Sequence, residues 1–430
     1  MPAFEPVLLR NVLAVERAWD IDVYLAHGGY EATRKALAQH QPAEIIDLVK
    51  RSGLRGRGGA GFPTGMKWDF VPKDPTLQKY VCCNADESEP GTFSNRALLE
   101  HDPHQLVEGI VICGYAIGSS RAFVYVRGEY GLAADRLEGA VAQARERGYL
   151  GQNVLGSGFD HDITIFRGAG AYICGEETAL LESLEGNRPM PRSRPPFPAV
   201  AGLYSRPTVI NNVETLCNVP HIIKNGVEWY TAIGVPPRNT GTKIYSLSGR
   251  VKRPGNYELP LGVPLRELIY EHGGGIVGDR RLKAVVPGGT SAALLTAEHL
   301  DLPMDFDSVA QAGSMLGTAG VIVMDETVCI PCAVERMMEF YNHESCGKCT
   351  PCREGTLWLL KVLRRITRGE GRAEDVDLMR EVCGSIGGKV LCALAEGAIA
   401  PVLSSIRYFR DEYEHHIRYG TCPTQALAGR

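Results

Sequence analysis

A run of closely spaced cysteines constrains this chain more than any other feature. In the stretch 343–355, Cys346, Cys349 and Cys352 are each separated by two residues, so three thiolates can converge on one centre without a long loop. Structural zinc sites usually combine two paired halves, whereas three such cysteines with a remote fourth favour a [4Fe–4S] cluster. A zinc site and buried thiols without a metal are the weaker interpretations. The candidates for the fourth ligand are Cys383, Cys392 and Cys422.

Length, charge and cysteine content argue against nucleic-acid binding and against a membrane-spanning segment. The chain has 430 residues and a formal charge of -4, which gives no basic face for nucleic acid. Its 13 cysteines, with no signal peptide before them, indicate a reducing compartment and metal-binding thiols. The longest uncharged run, 308–324, is too short and too rich in glycine to span a bilayer. We therefore expect membrane association only through a partner.

A glycine-rich segment at 53–65 predicts a ligand site. It contains a formal G-x-G-x-x-G at Gly56, Gly58 and Gly61, but it follows a predicted helix and leads to Pro63, so we reject a dinucleotide fingerprint. Residues without Cβ still allow a flat or phosphorylated ligand to lie against the backbone. The nearby positive charges would come from Arg55, Arg57 and Lys67. A mobile linker is less consistent with the neighbouring aromatic residues Phe62, Trp68 and Phe70.

Alternating strands and helices from residue 79 predict a parallel sheet covered by helices, with strands at 79–83, 122–126 and 163–166. Ligands of such sheets gather at the carboxyl ends of strands. Two unusual segments, 84–91 and 167–178, lie at these strand ends. Their carboxylates can accept hydrogen bonds from ribose hydroxyls, flavin N–H groups and a carboxamide. Each segment alone could instead hold capping carboxylates. The carboxylates are Asp86, Glu87, Glu89, Glu176 and Glu177.

The remaining chain predicts supporting structure. Residues 187–207 read as an extended loop, 211–215 as a helix start that could receive a phosphate, and 236–241 as a linker. Residues 242–325 read as a small α+β module, and residues beyond 328 as a helix bundle. Thr350 suits a helix N-cap. Cys392 could return to the cysteine-rich end as fourth ligand, whereas Cys383 reads as buried. Cys329 and Cys332 lack a second pair and read as unligated.

A nucleotide cleft and an iron–sulfur cluster on one chain require a converter between two-electron and one-electron chemistry, and flavin is the usual converter. At this point the sequence resembles a known family. Four of its segments are similar to the motifs of the NADH-binding, FMN-carrying subunit of respiratory complex I. These segments are residues 54–65, 84–90, 168–178 and 344–355. The resemblance implies hydride transfer from NADH to FMN and then single-electron transfer through the cluster.

The resemblance also implies site residues. FMN would contact Gly56, Gly58, Lys67, Asn84, Asp86, Ser88, Gly175, Glu176, Asn211 and Asn212. NADH would stack between Phe62, Phe70 and Phe197, with Glu89, the one catalytic candidate, near the nicotinamide and Glu177 near the adenosine ribose. The cluster would be held by Cys346, Cys349, Cys352 and Cys392. Arg194 stands where the family often has lysine, which keeps the charge and changes the geometry.

The implied fold is α/β with a Rossmann-like parallel-sheet FMN/NADH domain at 64–235, preceded by a helical segment and glycine loop at 1–63. A ubiquitin-like α+β domain at 236–327 and a helical bundle with the [4Fe–4S] cluster at 328–430 would follow. Expected partners are a thioredoxin-like [2Fe–2S] subunit and a multi-cluster iron–sulfur subunit, on the cytoplasmic face of a bacterial inner membrane. The alternative is the diaphorase subunit of an NAD-linked hydrogenase or formate dehydrogenase, which shares these motifs.

Overall fold

Residues 4–424 are described by the structure, a computed structural model, and their contacts divide them into two units. The first unit contains the chain up to Ser88, Phe93–Ile244 and Glu258–Gly262. The second contains Glu89–Thr92, Tyr245–Tyr257 and the chain from Val263 onward. The four regions predicted from the sequence are a finer division, and their boundaries stay a prediction.

The first unit is built on a parallel sheet with the order β3-β2-β1-β4. Short apolar runs bounded by polar residues form its strands, as buried parallel strands require. The strands of this unit are β1 Tyr80–Ala85, β2 Arg121–Val126, β3 Asp162–Arg167, β4 Thr208–Asn212, β5 Gly234–Val235 and β6 Asn239–Thr240. The predicted parallel sheet is confirmed, and β4 is a strand that the sequence did not reveal.

Twelve helices belong to the described part of the first unit. They are α1 Arg10–Ala14, α2 Ile21–Ala26, α3 Glu31–Gln39, α4 Pro42–Arg51, α5 Thr64–Asp69, α6 Ser94–His101, α7 Pro103–Ile117, α8 Gly131–Glu146, α9 Glu177–Leu184, α10 Pro198–Ala201, α11 Val213–Asn225 and α12 Val227–Thr231. Helix α7 is buried along almost its whole surface. A Cβ at Gly109 would lie 2.2 Å from the carbonyl oxygen of Leu216, so α7 and α11 can approach closely only because residue 109 is glycine.

The second unit combines a mixed sheet and helices. The sheet has the order β10-β9-β11-β7-β8, where β11 is parallel to β7 and antiparallel to β9. The strands are β7 Thr242–Gly249, β8 Gly255–Pro260, β9 Leu282–Val286, β10 Leu295–Thr296 and β11 Gly320–Asp325, and a π-helical turn covers Glu267–His272. The first residues of β7 and the last of β8 are counted with the first unit. The predicted α+β module is confirmed.

The helices of the second unit are α13 Phe306–Gln311, α14 Ile330–Glu344, α15 Thr350–Thr367, α16 Asp375–Ile386 and α17 Leu394–Tyr419. The last four form the predicted helix bundle, and apolar side chains on them are buried, for example Val334 and Met338 on α14. Leu403 on α17 is exposed. Among residues 4–424, none of the helices combines the length and apolar composition that crossing a bilayer requires.

Three local predictions were wrong in detail. The predicted linker at 236–241 contains one strand of the short antiparallel pair β5–β6. The predicted extended loop at 187–207 contains the short helix α10 and a 3-10 turn at Leu203–Ser205. The N-cap of α15 is Cys349 instead of Thr350. Each error concerns only a few residues, where nearby contacts outweigh local propensity.

Candidate flavin and iron–sulfur sites

The chain order creates a crevice at one edge of the parallel sheet. Strands β1, β2 and β3 succeed one another in one direction, and β4 returns to the other side of β1. In doubly wound sheets, ligands bind at the carboxyl ends of the strands where the order reverses. Here that point lies between β1 and β4, where Asn84 is paired in register with Asn212.

Two loops converge on this switch point. The side-chain amide of Asn84 donates to the carbonyl oxygen of Gly175, 2.8 Å away, which brings the segment after β3 to the end of β1. The glycine-rich loop approaches from the other side, since a Cβ at Gly58 would lie 2.8 Å from Cβ of Asn212. Four of the predicted FMN contacts, Gly58, Asn84, Gly175 and Asn212, therefore surround one place.

The glycine-rich segment is a closed loop. The amide of Gly56 donates to the carbonyl of Phe62 at 2.8 Å, and the amide of Thr64 donates to that of Leu54 at 2.8 Å. Between these bonds the backbone turns through Gly59 and Gly61, both at positive φ. A Cβ at Gly59 would meet open space, so that glycine is required by its conformation alone. The loop presents bare backbone, as a flat ligand requires.

Arg57 does not supply charge to this loop, contrary to the sequence prediction. Its guanidinium is buried and donates to the carbonyl oxygens of Thr240 and Thr242 and to the hydroxyl of Tyr230. Its backbone amide donates to Oγ1 of Thr215 on α11, at 2.8 Å. Arg57 therefore anchors the loop to the core, and Arg55 and Lys67 are the predicted cations that remain partly accessible.

Two of the carboxylates in the segments after β1 and β3 cap helices. Glu87 is buried and accepts from the backbone amides of Asn95 and Arg96, so it caps α6. Burial raises the pKa of Glu87, and these backbone hydrogen bonds oppose that shift. Glu176 is the N-cap of α9 and accepts from the amides of Thr178 and Ala179. The capping interpretation thus holds for these two carboxylates.

The other predicted polar contacts lie around the same sheet edge. Asp86 accepts from the hydroxyl of Ser88 at 3.1 Å. Asn211 accepts from the indole of Trp68 at 2.8 Å. Glu177 pairs with Lys67 at 3.0 Å and with Arg194 at 3.1 Å, so the arginine found in place of lysine reaches a predicted ribose-binding carboxylate.

Three large aromatic rings are exposed in the same unit. Phe62 and Phe70 lie with ring centroids 6.2 Å apart and are 43% and 56% exposed. Phe197, which precedes α10, is 57% exposed. Exposing apolar rings to water costs free energy unless a ligand or partner covers them. No described contact brings Phe197 to the other two rings.

Glu89 belongs to the second unit. Its Oε1 accepts from the backbone amide of Ser291 at 2.8 Å, and the hydroxyls of Thr290 and Tyr341 lie 3.3 and 3.4 Å away. Burial and the carboxylate of Glu89 raise the pKa of Tyr341, so its phenol stays protonated and can donate. These donors hold the carboxylate in a fixed position.

Helix α11 starts at the switch point and is anchored by a buried ion pair. Asn212 caps the helix by accepting from the amide of Glu214 at 2.9 Å. Glu214 in turn pairs with Lys243 at 2.5 Å and accepts from the amide of Ile244 at 3.0 Å. Neither side chain of the pair is exposed. The end of α11 that faces the crevice is thereby fixed.

The cysteine triplet lies at the start of α15. Cys349 is its N-cap, Cys352 is in its first turn, and the serine Oγ of Ser345 is 3.3 Å from the Cys352 sulfur. The amide of Leu391 donates to the Cys349 sulfur at 3.4 Å, which brings the residue before Cys392 to the same place. The predicted convergence of both segments is therefore present.

The electrostatics of the triplet suit a metal centre. Burial raises the pKa of Cys352, and the neighbouring thiols of Cys346 and Cys349 raise it further, whereas a hydrogen bond with Ser345 opposes the shift. Three adjacent thiolates repel one another unless a cation neutralises them. The helix N-terminus and the iron ions of a cluster would both supply such positive charge.

Comparison with known proteins agrees with these sites. Residues 49–221 match the Nuo51 FMN-binding domain, 244–294 match the SLBB domain, and 332–416 match the NADH-ubiquinone oxidoreductase-F iron-sulfur binding region. The sheet edge, glycine loop and start of α11 all lie within the first match. Residues 346, 349, 352 and 392 all lie within the third.

Full-length relatives are similar throughout. The NADH-quinone oxidoreductase F subunit 2 of Rhizobium meliloti (strain 1021) is 57% identical, over 98% of this chain and 99% of the relative. The corresponding F subunit of Escherichia coli (strain K12) is 49% identical, over 95% of this chain and 92% of the relative. An NAD+-reducing [NiFe]-hydrogenase in the H2-reduced state is 35% identical with a TM-score of 0.84, covering 99% of this chain and 71% of that chain. On this identity and coverage, the chain belongs to the family of NADH-quinone oxidoreductase F subunits, whose members carry FMN and a [4Fe–4S] cluster.

Proposed function

We propose that this chain oxidises NADH at the switch point between β1 and β4 and delivers the electrons to a cluster at the start of α15. The proposal rests above all on the convergence of Gly58, Asn84, Gly175 and Asn212 at one sheet edge, within the region that matches an FMN-binding domain. These residues would hold FMN, which would supply the conversion of two-electron hydride transfer from NADH into one-electron transfer to an iron–sulfur cluster.

The residues of the site contribute alignment and electrostatics. The bare backbone at Gly56 and Gly58 lets a flat ring system approach closely. The start of α11, beside Asn211 and Asn212, would place the positive end of a helix dipole near the phosphate of FMN. The polar groups of Asn84, Asp86, Ser88, Gly175 and Glu176 serve the flavin ring and ribityl chain, with Lys67 as the nearby cation.

The nucleotide would be held mainly by stacking. Phe62, Phe70 and Phe197 would cover the nicotinamide and adenine rings, which explains why they are exposed in the free chain. Glu89 would accept from the carboxamide of the nicotinamide, and Glu177 would accept from the ribose hydroxyls. No side chain need donate or remove a proton during hydride transfer, since the protein acts by positioning.

The cluster ligands would be Cys346, Cys349, Cys352 and Cys392. This assignment is supported by their match to the iron-sulfur binding region and by the hydrogen bond from Leu391 to the Cys349 sulfur. The sulfur donors of the cluster would be further tuned by that bond and by Ser345.

As a member of this family, the chain functions with the other subunits of a multisubunit complex. We propose as direct neighbours a thioredoxin-like [2Fe–2S] subunit and a multi-cluster iron–sulfur subunit, in the peripheral arm on the cytoplasmic face of the inner membrane. The alternative assembly is an NAD-linked hydrogenase or formate dehydrogenase, since a hydrogenase chain shares this fold at 36% identity. The proteins that copurify with the chain at native expression would distinguish these assemblies.

An anaerobic visible spectrum of the purified chain, before and after NADH, tests the redox function. We expect flavin and iron–sulfur absorbance that decreases on adding NADH and returns with an artificial acceptor. The matched control is NADPH, whose 2'-phosphate is repelled by the carboxylates of the site and should bleach the protein more slowly. A colourless protein, or a coloured one that NADH does not bleach, would contradict the proposal.

A further inference from the structure

Four side chains of metal-ligand type meet at a second place in the helical part of the chain. Candidate ligand atoms of Cys329, Cys332, His416 and Cys422 all lie within 4.8 Å of one another. The sulfur of Cys329 is 3.2 Å from Nε2 of His416. From sequence alone the pair Cys329–Cys332 read as unligated, because its partners lie far away along the chain.

We propose that these four residues bind one zinc ion, separate from the iron–sulfur cluster. Three thiolates and one imidazole are a standard structural zinc set. With Zn–S bonds of about 2.3 Å, tetrahedral ligands stand about 3.8 Å apart, which matches a group that fits within 4.8 Å. A [4Fe–4S] cluster places several atoms between its cysteines and spreads them more widely. The spacing therefore indicates a single ion.

The site is formed by the two ends of the helical region. Cys329 is the N-cap of α14, and Cys332 lies in the first turn of that helix. His416 lies in the last turn of α17, whose C-cap is Gly420. Gly420 adopts a left-handed conformation, φ +65°, that reverses the chain and brings Cys422 back to the site. All four coordination positions are thus supplied by protein, as in a structural site.

The surroundings hold the ligands in place. Cys329 and His416 are buried. The amide of Ile330, next to Cys329, donates to the Glu412 carboxylate at 2.9 Å, and Lys283 pairs with the same carboxylate. Lys283 also donates to the carbonyl of Val328 at 2.7 Å, on the other side of Cys329. Such supporting contacts orient metal ligands and strengthen binding.

The iron–sulfur cluster and the zinc site lie at opposite ends of α14. This helix has 15 residues, about 22 Å in length, with Cys329 before its start and Cys346 just after its end. A change at one site therefore leaves the ligands of the other untouched. The zinc ion would join the end of α17 to the start of α14 and close a long loop of the chain.

A pair of cysteines at a helix N-terminus with proline between them is also the arrangement of a redox-active dithiol. That function needs only two sulfurs and access for a partner. Here Cys329 is buried, and His416 and Cys422 complete a ligand set. The observations therefore favour a metal site. A redox-active dithiol at Cys329 and Cys332 is the alternative that the experiment below would reveal.

The test is metal analysis and zinc-edge X-ray absorption on the full chain purified anaerobically with its cofactors. We expect about one zinc per chain, with three sulfur and one nitrogen neighbours. Cys422→Ser and His416→Ala should lower the zinc content at least tenfold and leave iron and flavin unchanged. His416→Cys should retain zinc with four sulfur neighbours. The matched control is Cys383→Ala, which removes a buried thiol of α16 from the same unit and should retain zinc.

Several results would overturn the zinc site. One is a wild-type chain with less than a tenth of an equivalent of zinc, or with a single iron in its place. Another is a Cys329–Cys332 disulfide in the native chain, found by mass spectrometry. Zinc that persists in Cys422→Ser, or that has mainly oxygen neighbours, would be adventitious. The zinc-edge X-ray absorption spectrum of the wild type tests the zinc site even if the variants fold poorly. Bleaching of the visible absorbance by NADH in the same sample tests the redox function separately.

Discussion

Breaking the buried ion pair between Lys243 and Glu214 should destabilise the first unit strongly. We choose Lys243→Met because it keeps most of the side-chain volume and removes the ammonium group, which also donates to the carbonyl of Ile244 at 3.0 Å. At the observed 2.5 Å and an effective dielectric constant of about 20, the attraction between the two charges is about 7 kcal/mol. The cost of removing both charges from water offsets much of this, so the pair itself adds little net stability.

The variant is costly because it leaves a carboxylate without its cation. Glu214 would keep the backbone amide of Ile244 as a donor, at 3.0 Å, but would lose the cation in direct contact with its carboxylate. Removing one partner of a buried pair costs about 3–5 kcal/mol. For a unit of this size we expect the Tm to fall by about 6–20 °C. The loss should be accompanied by weaker FMN retention, because Glu214 lies in the first turn of α11 at the switch point.

The assay is circular dichroism or flavin release during anaerobic heating at one fixed scan rate, since thermal unfolding of a cofactor protein is often irreversible. The matched control is Lys224→Met, which breaks the partly exposed pair with Glu31 at 2.7 Å in the same unit. It should cost at most about 1 kcal/mol. The double variant Lys243→Met with Glu214→Gln should recover part of the loss. A Lys243→Met chain that melts within about 2 °C of the wild type would refute the reasoning.

Three further predictions concern the sites and the core. Cys349→Ser should abolish the iron–sulfur signal in electron paramagnetic resonance while NADH still reduces the flavin; an intact cluster signal would exclude Cys349 as a ligand. Glu89→Gln should weaken NADH binding about tenfold, because a charge-assisted hydrogen bond is lost, and should leave the FMN content unchanged. Unchanged binding of both NADH and NAD+ in equilibrium titration would show that Glu89 does not contact the nucleotide. Burial lowers the pKa of His161 to about 4, so the stability linked to its neutral form is present above pH 6.5 and is lost as the pH falls from about 6.5 to 4. His161→Asn should flatten that part of a Tm–pH curve, and a curve as steep as that of the wild type would contradict the burial argument.

The sequence was informative wherever one local pattern determined an element. The strands β1, β2 and β3 follow from short apolar runs, and the cluster cysteines follow from their spacing and the helix that begins beside them. Strand β4 was missed because its polar end, Asn211 and Asn212, reads as a helix start. The same residues both end the strand and cap α11, so a single pattern could not reveal both elements. Without β4 the switch point itself could not be located from sequence.

Charged residues show a second limit. Arg57 in a glycine-rich loop reads as a ligand-binding cation, yet it donates to carbonyl oxygens in the core. Glu87 reads as a cofactor carboxylate, yet it caps α6. Both roles depend on residues far along the chain or on the direction in which a side chain points. Composition and spacing carry no information on direction, so such residues can be sorted only after the chain has folded.

The zinc ligands show why long-range convergence is the hardest property to predict. Cys329 and Cys332 form a recognisable half-site, but the other half consists of one histidine and one cysteine that do not form a motif. His416 and Cys422 reach the first pair because α14, α15, α16 and α17 alternate in direction with fixed lengths, and because Gly420 turns the chain back. A change of one residue in the length of α17 would rotate His416 by about 100° and move it away from the sulfurs. Insertion of one alanine after Tyr413 should therefore abolish zinc binding. An alanine inserted after Ala373, an exposed residue of the loop between α15 and α16, should retain zinc. Loss of zinc from both variants would show that the ligands depend on the whole bundle instead of on the register of α17.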